Sequence, residues 1–258
     1  MKILDQKIFQ RIKAEYDNAA VRVLFLDYDG TLVPFADQPE AALPGKQVIG
    51  LLEELASIKQ NTIVIISGRD RYFLDKVFSN MDLTLVAEHG FFIRKPGKEW
   101  KTESRLNNNW KSGVREVMFR YRKKFPGSMI EEKESTLAWH YRNCAIVPTI
   151  PDIEFLKILL SHVFNGHPVE LLEGSKVVEV RKQYTTKGSA AIQLLKEKIP
   201  GFIIAIGDDL TDEDLFRVLP EEAFTIKVGG GSSFAKYFCS GQENVATMLS
   251  LLLGKSVL

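Results

Sequence analysis

The sequence predicts an α/β fold, with a Rossmann-like, doubly wound parallel sheet as its core and an inserted α+β unit. Short and nearly continuous apolar runs end in polar or glycine-rich turns, which is typical of strands buried on both faces of a parallel sheet. Apolar residues at helical spacing separate these runs, as in right-handed βαβ units. The middle of the chain breaks this alternation, because hairpin-like turns join its strands.

Each predicted core strand ends at a turn that carries polar residues. Ligands bind beyond the carboxyl ends of the strands in doubly wound sheets, so we expect a functional site at these turns. Helical spacing lies between and after the strands, for example from Val48 to Ile58 and from Val245 to Leu252. The predicted strands and the residues that follow them are Val21–Leu26 before Asp27, Thr62–Ile66 before Ser67, Leu83–Val86 before Glu88, and Phe202–Ile206 before Gly207.

The inserted unit is predicted between residues 107 and 182. An amphipathic helix through Trp110–Tyr121 follows the turn-prone Asn107–Asn109. A strand, a helix and two strands that meet at Glu173-Gly174 complete the unit. These predicted elements are Thr136–Arg142, Asp152–Phe164, Val169–Leu172 and Val177–Arg181. We therefore expect a discontinuous core at 1–106 and 183–258, which holds a cap at 107–182.

Composition excludes several classes of protein. The 258 residues carry 34 basic and 33 acidic side chains, a net charge of +1. A sequence-independent nucleic-acid surface requires a basic excess, and a membrane span requires about 20 apolar residues in a row. The amphipathic start carries acids, unlike a secretory or transit peptide, and the only cysteines are Cys144 and Cys239. We expect a cytoplasmic protein without disulfides that binds neither nucleic acid nor membranes.

Two carboxylates follow the first predicted strand, in the motif D-Y-D-G-T at 27–31. Asp27 and Asp29 repel each other at a strand end, and a cation between them relieves this repulsion. Carboxylate and backbone oxygens are the ligands that Mg²⁺ prefers. One carboxylate can attack phosphorus while its neighbour transfers a proton. The alternative is a solvated Asp-Gly turn, which the apolar run before Asp27 disfavours.

A hydroxyl and a glycine follow the second predicted strand, in the motif S-G-R at 67–69. Ser67 can offer its hydroxyl group to a phosphate oxygen, together with a backbone N–H. Alternatively, it can cap the next helix. Arg69 is either a substrate contact or a surface charge.

A lysine begins a predicted helix in the motif T-T-K-G-S at 185–189. A cation at a helix N-terminus is unfavourable unless an anionic ligand or a carboxylate lies beside it. Lys187 can therefore hold a phosphate and a nucleophile together. A surface position is the alternative for an isolated Lys-Gly pair.

A dense run of acids follows the strand that ends before Gly207, in G-D-D-L-T-D-E-D. Acids in the first turn of a helix are ordinary partners of the helix dipole. Asp208 and Asp209 precede that turn and repel each other unless a cation or hydrogen-bond donors compensate. We expect Asp208 to bind a metal ion, with Asp209 or Asp212 behind it.

Taken in order, D-Y-D-G-T, S-G-R, K-G and G-D-D-L-T-D-E resemble the four motifs of the haloacid dehalogenase (HAD) phosphatase superfamily. Segments at 87–90, 131–133, 140–142 and 178–180 are similar to those of trehalose-6-phosphate phosphatases, and the similarity spans about residues 21–240. The resemblance implies a β/α cap that closes over a Mg²⁺-binding HAD core. It also implies hydrolysis of trehalose 6-phosphate, a sugar phosphate, through an aspartyl-phosphate intermediate.

The resemblance implies a role for each matching residue. Asp27 is the nucleophile, and Asp29 is the general acid and then the general base. Mg²⁺ binds the carboxylates of Asp27 and Asp208 and the backbone carbonyl of Asp29, with Asp209 and Asp212 behind them. The residues expected to contact the substrate are Ser67 and Lys187 at the phosphoryl oxygens, Gly68 and Arg69 nearby, and Glu131, Lys133, Arg142 and Glu179 of the cap at the sugar hydroxyls.

Alternatives stay open for the cap and for the substrate. Residues 131–134 can be a solvated charge run, and only the family pattern turns His140 and Arg142, rather than Trp139 and Tyr141, towards the cleft. The alternative functions are hydrolysis of another sugar phosphate, such as sucrose phosphate or mannosyl-phosphoglycerate, and a non-catalytic sugar-phosphate sensor. An association with a separate trehalose-6-phosphate synthase is also left open.

Overall fold

The computed structural model describes residues 1–36, 39–102, 108–197 and 200–255. Helices and strands are numbered in chain order. The described strands are β1 (Lys2–Ile3), β2 (Arg22–Leu26), β3 (Asn61–Ile66), β4 (Thr84–Ala87), β5 (Phe92–Arg94), β6 (Met129–Glu132), β7 (Thr136–His140), β8 (Val169–Gly174), β9 (Val177–Lys182), β10 (Phe202–Gly207), β11 (Phe224–Val228) and β12 (Tyr237–Cys239). The described helices are α1 (Gln6–Asn18), α2 (Lys46–Ser57), α3 (Arg71–Phe78), α4 (Lys111–Lys124), α5 (Ile150–Val163), α6 (Lys187–Leu195), α7 (Leu210–Val218) and α8 (Gln242–Leu252).

Eight of the described strands form a sheet in the order β1-β12-β11-β10-β2-β3-β4-β5. Neighbouring strands are parallel except β4 and β5, which are antiparallel. From β2 the chain adds β3 and β4 on one side, and later adds β10 and β11 on the other. Such a reversal leaves a crevice at the carboxyl ends of the central strands. The predicted doubly wound α/β core is confirmed.

Alternate residues of the central strands pack on opposite faces of this sheet, because successive side chains of a strand point to opposite sides. Leu24 and Leu26 lie in a buried cluster with residues of α1, α2, α3 and α8. Val23 and Phe25 lie in another with residues of α6 and α7. Burial on both faces explains why the sequence shows continuous apolar runs at these strands.

A second sheet is antiparallel, in the order β6-β7-β9-β8. Trp139 of this sheet is fully buried and packs with residues of α4 and α5. The chain divides into two compact units, residues 1–103 with 186–258 and residues 104–185. The sequence-based limits of the cap were 107 and 182, and the first of these lies within 103–107, outside the described residues. The specificity role of the cap stays a prediction.

Two local features differ from the sequence prediction. Strand β6 occupies Met129–Glu132, where the sequence predicts no strand and leaves a solvated charge run open at 131–134. It lies at the edge of its sheet and carries Glu131 and Glu132 on opposite faces, so an apolar alternation is absent from it. The turn between β8 and β9 lies at Ser175-Lys176, two residues beyond the predicted Glu173-Gly174. Lys176 takes the left-handed conformation at φ 66°, which a tight hairpin turn requires.

Among the residues that the structure describes, no helix is both long enough and apolar enough to span a bilayer.

Replacing Trp139 by alanine should destabilise the second unit by about 3–5 kcal/mol, the usual cost of removing a buried aromatic side chain. Phe119→Ala on α4 is the matched control, since Phe119 is 43% exposed and should cost far less. Hydrogen–deuterium exchange of peptides from 108–185 measures both effects. Equal exchange in the two variants would contradict the central position of Trp139 in this unit.

Candidate active site

Acidic side chains meet at the carboxyl ends of β2 and β10. Asp27 follows β2, and its backbone N–H donates to the carbonyl of Ile206 on β10 at 3.0 Å. One carboxylate oxygen from each of Asp27, Asp208 and Asp212 lies within 4.8 Å of the others. Asp27 is 4% exposed and Asp212 is fully buried. The structure thus brings Asp27 and Asp208 together and adds a third carboxylate beside them.

Glycine is required at position 30 by the approach of Asp208. Gly30 has a φ of +78°, and a Cβ atom there would lie 2.2 Å from Oδ2 of Asp208. The turn after β2 therefore brings its backbone directly against this carboxylate. The contact gives a physical reason for the glycine that follows the two acids of the first motif.

Lys187 lies between two carboxylates at the start of α6. Its side chain is 2% exposed, and Nζ donates to Oδ1 of Asp27 at 2.6 Å and to Oδ1 of Asp212 at 2.7 Å. Burial alone lowers the pKa of this ammonium, but the charges of Asp212 and Asp27 raise the pKa well above its ordinary value. A charged lysine therefore faces Asp27, and the carboxylates explain the cation at this helix N-terminus.

Asp212 and Asp209 shape the loop that presents Asp208. Oδ2 of Asp212 accepts from the backbone N–H groups of Asp208 and Asp209, at 2.9 and 3.1 Å. Oδ1 of Asp209 caps α7 by accepting from the N–H groups of Thr211 and Asp212. Burial raises the pKa of Asp209, but the charge of Lys187 and the hydrogen bond from Thr211 outweigh this effect. The pKa of Asp209 is therefore lower than its ordinary value.

Asp27 and Asp208 carry negative charge that the surrounding donors do not fully compensate. Oδ2 of Asp27 is buried, and no hydrogen-bond donor of the described residues reaches it. Burial raises the pKa of Asp27 to about 7 against the opposing charge of Lys187, and nearby carboxylates add to the rise. Burial and the charges of Asp209 and Asp212 likewise raise the pKa of Asp208 to about 7. A buried oxygen without a donor among carboxylates fits a hard divalent cation.

The S-G-R turn follows β3, the strand beside β2. Ser67 is buried, and its Oγ accepts from the backbone N–H of Arg69 at 3.1 Å. Asp70, not Ser67, caps the next helix, so the capping alternative for Ser67 is wrong. The imidazole of His89 lies against Gly68, where a Cβ atom would be 2.6 Å from the ring.

Arg69 forms an ion pair with Asp29 that the sequence analysis did not predict. Nε donates to Oδ2 at 2.7 Å and Nη2 donates to Oδ1 at 2.5 Å, a bidentate arrangement that fixes the carboxylate. The guanidinium also lies 4.4 Å from the ring centre of Phe73. The alternative of a simple surface charge at Arg69 is therefore wrong. The two motifs follow neighbouring parallel strands, and this placement is the one signal in the sequence for their contact.

In the second unit, a polar cluster occupies the face of the sheet opposite Trp139. The register aligns Glu131 with Ala138 and Ala138 with Glu179, so both acids share this face. Oε2 of Glu131 lies 2.9 Å from Nε2 of His140, and Oε1 lies 3.1 Å from Nζ of Lys133. Despite burial, these two partners lower the pKa of Glu131 to about 2. Burial raises the pKa of Glu179.

The fourth predicted cap residue makes a different contact. Arg142 follows β7 and is exposed, and its Nη2 donates to the carbonyl and the hydroxyl of Ser175 at 3.1 and 3.3 Å. Trp139 and Tyr141 are the buried pair among the alternating residues, and they stack at 5.0 Å. The structure thus groups Glu131, Lys133 and Glu179, whereas Arg142 binds the turn between β8 and β9.

Comparison with known proteins gives one matching family model. A model described as trehalose-phosphatase matches residues 25–249. The bifunctional trehalose-6-phosphate synthase/phosphatase of Thermoproteus tenax is 38% identical over 254 residues, which cover 98% of this chain and 34% of that protein. The trehalose-phosphatase of Schizosaccharomyces pombe is 35% identical over 252 residues, covering 91% and 31%. The chain spans about a third of the length of these curated relatives.

Solved structures resemble the chain over nearly its whole length. The C-terminal domain of the trehalose-6-phosphate phosphatase of C. albicans has a TM-score of 0.86 and 30% identity, and the match covers 99% of this chain and 98% of that one. A haloacid dehalogenase-like hydrolase from Bacteroides thetaiotaomicron has a TM-score of 0.65 at 15% identity, covering 90% and 99%. The second likeness indicates the fold alone.

The stability of the metal-free chain should fall as the pH rises. The pKa values of Asp27 and Asp208 rise from 3.8 to about 7 on folding, so the folded state binds more protons than the unfolded state between these values. Unfolding free energy therefore decreases from about pH 4 to about pH 7. Asp208→Asn should flatten the decrease, whereas the exposed Asp82→Asn should not. Thermal melts in chelator measure this, and a slope unchanged by Asp208→Asn would contradict it.

Proposed function

The chain belongs to the trehalose-phosphatase family, and we propose that its site hydrolyses trehalose 6-phosphate to trehalose and phosphate. The membership confirms the family that the sequence motifs predicted. The observation that carries the proposal is the group formed by the buried Asp27 and Lys187 and the half-buried Asp208. It combines a nucleophilic carboxylate, oxygen ligands for a divalent cation and a fixed positive charge, which phosphoryl transfer requires.

In this proposal Asp27 forms a covalent intermediate. A carboxylate oxygen attacks phosphorus, the bond between phosphorus and the sugar oxygen breaks, and an acyl phosphate results. Asp29 donates a proton to the leaving sugar oxygen and then takes a proton from the water that attacks the acyl phosphate. The bidentate contact from Arg69 orients the Asp29 carboxylate, and Asp29 carries the proton that it donates once one of its oxygens is released from Arg69. The second step releases phosphate and restores the Asp27 carboxylate.

We propose Mg²⁺ as the metal ion, bound by the carboxylates of Asp27 and Asp208 and by the backbone carbonyl of Asp29. When bound, the ion neutralises charge on the transferring phosphoryl group. Asp209 and Asp212 stand behind these ligands and keep the loop around Asp208 in shape. The hard oxygen donors and the buried Oδ2 of Asp27 support this choice of ion.

We propose that four residues contact the substrate around its phosphate. Ser67 and Lys187 hold phosphoryl oxygens, and Gly68 and Arg69, which follow Ser67 in the chain, contact the substrate beside them. Lys187 is held in place by Asp27 and Asp212 before a substrate arrives, so its charge needs little reorganisation during the reaction.

We propose that the second unit recognises the sugar through Glu131, Lys133, Arg142 and Glu179. Carboxylates accept hydrogen bonds from neighbouring hydroxyl groups, whereas Lys and Arg donate them. His140 and Lys133 hold both oxygens of Glu131, so this acceptor is ionised and oriented. A site built from such groups rejects analogues that leave them unpaired.

Two further expectations concern the setting of this reaction. One relative is a bifunctional synthase/phosphatase, which supports an association of this chain with a trehalose-6-phosphate synthase. The free thiols of Cys144 and Cys239 support a cytoplasmic location. Both stay predictions.

Phosphate release should be fastest with trehalose 6-phosphate and should depend on Mg²⁺. Asp27→Asn should lower turnover by about a thousandfold or more, because an amide oxygen is a poor nucleophile. The measurement is phosphate release from a panel that includes sucrose phosphate and mannosyl-phosphoglycerate, with thermal melts to verify folding. Faster release from another member of the panel would reject the substrate, and normal turnover by Asp27→Asn would reject the nucleophile.

Glu131→Ala should raise KM for trehalose 6-phosphate by about tenfold or more, since a hydrogen bond to a charged group is worth about 1.5–3 kcal/mol. Hydrolysis of a small aryl phosphate should be unchanged. Glu132→Ala is the matched control, because Glu132 lies on the opposite face and pairs with Arg115 at 2.6 Å. If Glu131→Ala impaired hydrolysis of both substrates equally, or if Glu132→Ala raised KM for trehalose 6-phosphate as much, the role of Glu131 in sugar recognition would be rejected.

A further inference from the structure

Two buried charged residues lie next to the loop after β10 that carries Asp208 and Asp209, here called the acidic loop. Neither residue has a role in the proposed reaction. Lys227 on β11 and Glu213 on α7 are each 7% exposed, and Nζ of the lysine lies 3.8 Å from Oε1 of the glutamate. Removing two charges from water costs free energy that their mutual attraction often fails to recover. A buried pair beside the proposed metal site therefore needs an explanation other than stability.

Lys227 binds the loop that carries Asp208. Strand β11 lies beside β10, and the register pairs Lys227 with Gly207, the residue before Asp208. Nζ donates to the backbone carbonyl of Asp208 and lies 3.4 Å from the carbonyl of Asp209. An ammonium group has three donors, and these carbonyls and Glu213 surround it.

The same two residues of the loop are held from a second direction. Asp212 accepts from the backbone N–H groups of Asp208 and Asp209, while Lys227 binds their carbonyls. The backbone polar groups of both residues are therefore tied down, on the N–H side by a carboxylate and on the carbonyl side by an ammonium. Little rotation of the Asp208 backbone is compatible with both sets of contacts.

Glu213 connects this ammonium to the segment that follows β11. Its Oε2 accepts from the backbone N–H of Phe234 at 2.7 Å. The segment begins with Gly229, Gly230 and Gly231, which restrict the backbone little. Glu213 therefore anchors the glycine-rich segment after β11 to α7. Through Lys227 it also connects this segment to the acidic loop.

We propose that Lys227 is a positioning residue for the metal site. Its ammonium fixes the carbonyls of Asp208 and Asp209, so that the Asp208 carboxylate stays turned towards Asp27 and against Gly30. It also places a positive charge behind an acidic cluster and so lowers the cost of bringing the carboxylates together. The inference rests on the proposed function in one respect, the assignment of Asp208 as a metal ligand.

Lys227→Met tests the proposal, because methionine keeps much of the side-chain volume and removes the ammonium. Mn²⁺ serves as the probe, and electron paramagnetic resonance of the unbound ion measures its affinity without turnover. We expect about tenfold weaker binding, the lower end of the usual effect of residues that orient metal ligands. Lys227→Arg should recover most of the affinity. At saturating Mg²⁺, kcat of Lys227→Met should return close to the wild-type value.

Hydrogen–deuterium exchange of the metal-free chain gives a readout that does not depend on a metal ion. Peptides that cover residues 207–212 should exchange faster in Lys227→Met than in the wild type. Unchanged exchange in these peptides would overturn the positioning role. If the wild-type chain bound no Mn²⁺, the proposed metal site would fail, while this exchange would still decide whether Lys227 holds the loop.

Lys236→Met is the matched control. Nζ of Lys236 also donates to backbone carbonyls, those of Glu221 and Ala223 in the turn before β11. This variant should lose stability while its Mn²⁺ affinity and its exchange at 207–212 stay at wild-type values. Equal Mn²⁺ affinities of Lys227→Met and the wild type, or an equal loss in Lys236→Met, would overturn the proposal.

Discussion

The buried ammonium of Lys187 is the interaction on which the rest of the site depends. It lies between the carboxylates of Asp27 and Asp212, at 2.6 and 2.7 Å. Asp27, Asp208 and Asp212 meet in a space where burial already disfavours their charged forms. Without the lysine, Asp212 would lose the cation that compensates its Oδ1, and Asp27 would lose the ammonium that donates to its Oδ1. Breaking a buried pair in this way typically costs about 3–5 kcal/mol.

The parallel sheet explains why a lysine from one helix can serve carboxylates from two distant segments. Strand β2 lies between β10 and β3, so the turns that follow these three strands share one edge of the sheet. Asp27, Asp208 and Ser67 are placed there by the strands. The loop around Asp208 then takes its shape from donors and acceptors on both sides, with Asp212 at its N–H groups and Lys227 at its carbonyls.

The sequence predicted the sheet and the meeting of Asp27 with Asp208, because strands buried on both faces are visible as continuous apolar runs and the residues at their ends share one edge of the sheet. The direction of a side chain is not visible in the sequence. The contact of Arg69 with Asp29 depends on how two turns face each other, and that of His140 with Glu131 depends on the register of an edge strand whose charges obscure its alternation. Nothing in the sequence around Lys227 distinguishes it from other lysines. Its importance follows from the pairing of β11 with β10, which places it beside Asp208.

Reduction with sodium borohydride during turnover tests most directly whether Asp27 is the nucleophile. An aspartyl phosphate is reduced to homoserine, which peptide mass spectrometry locates in the chain. We predict homoserine at position 27, formed only when trehalose 6-phosphate and Mg²⁺ are both present. Turnover without a reduced residue at position 27, or reduction at Asp208 instead, would contradict the proposed mechanism.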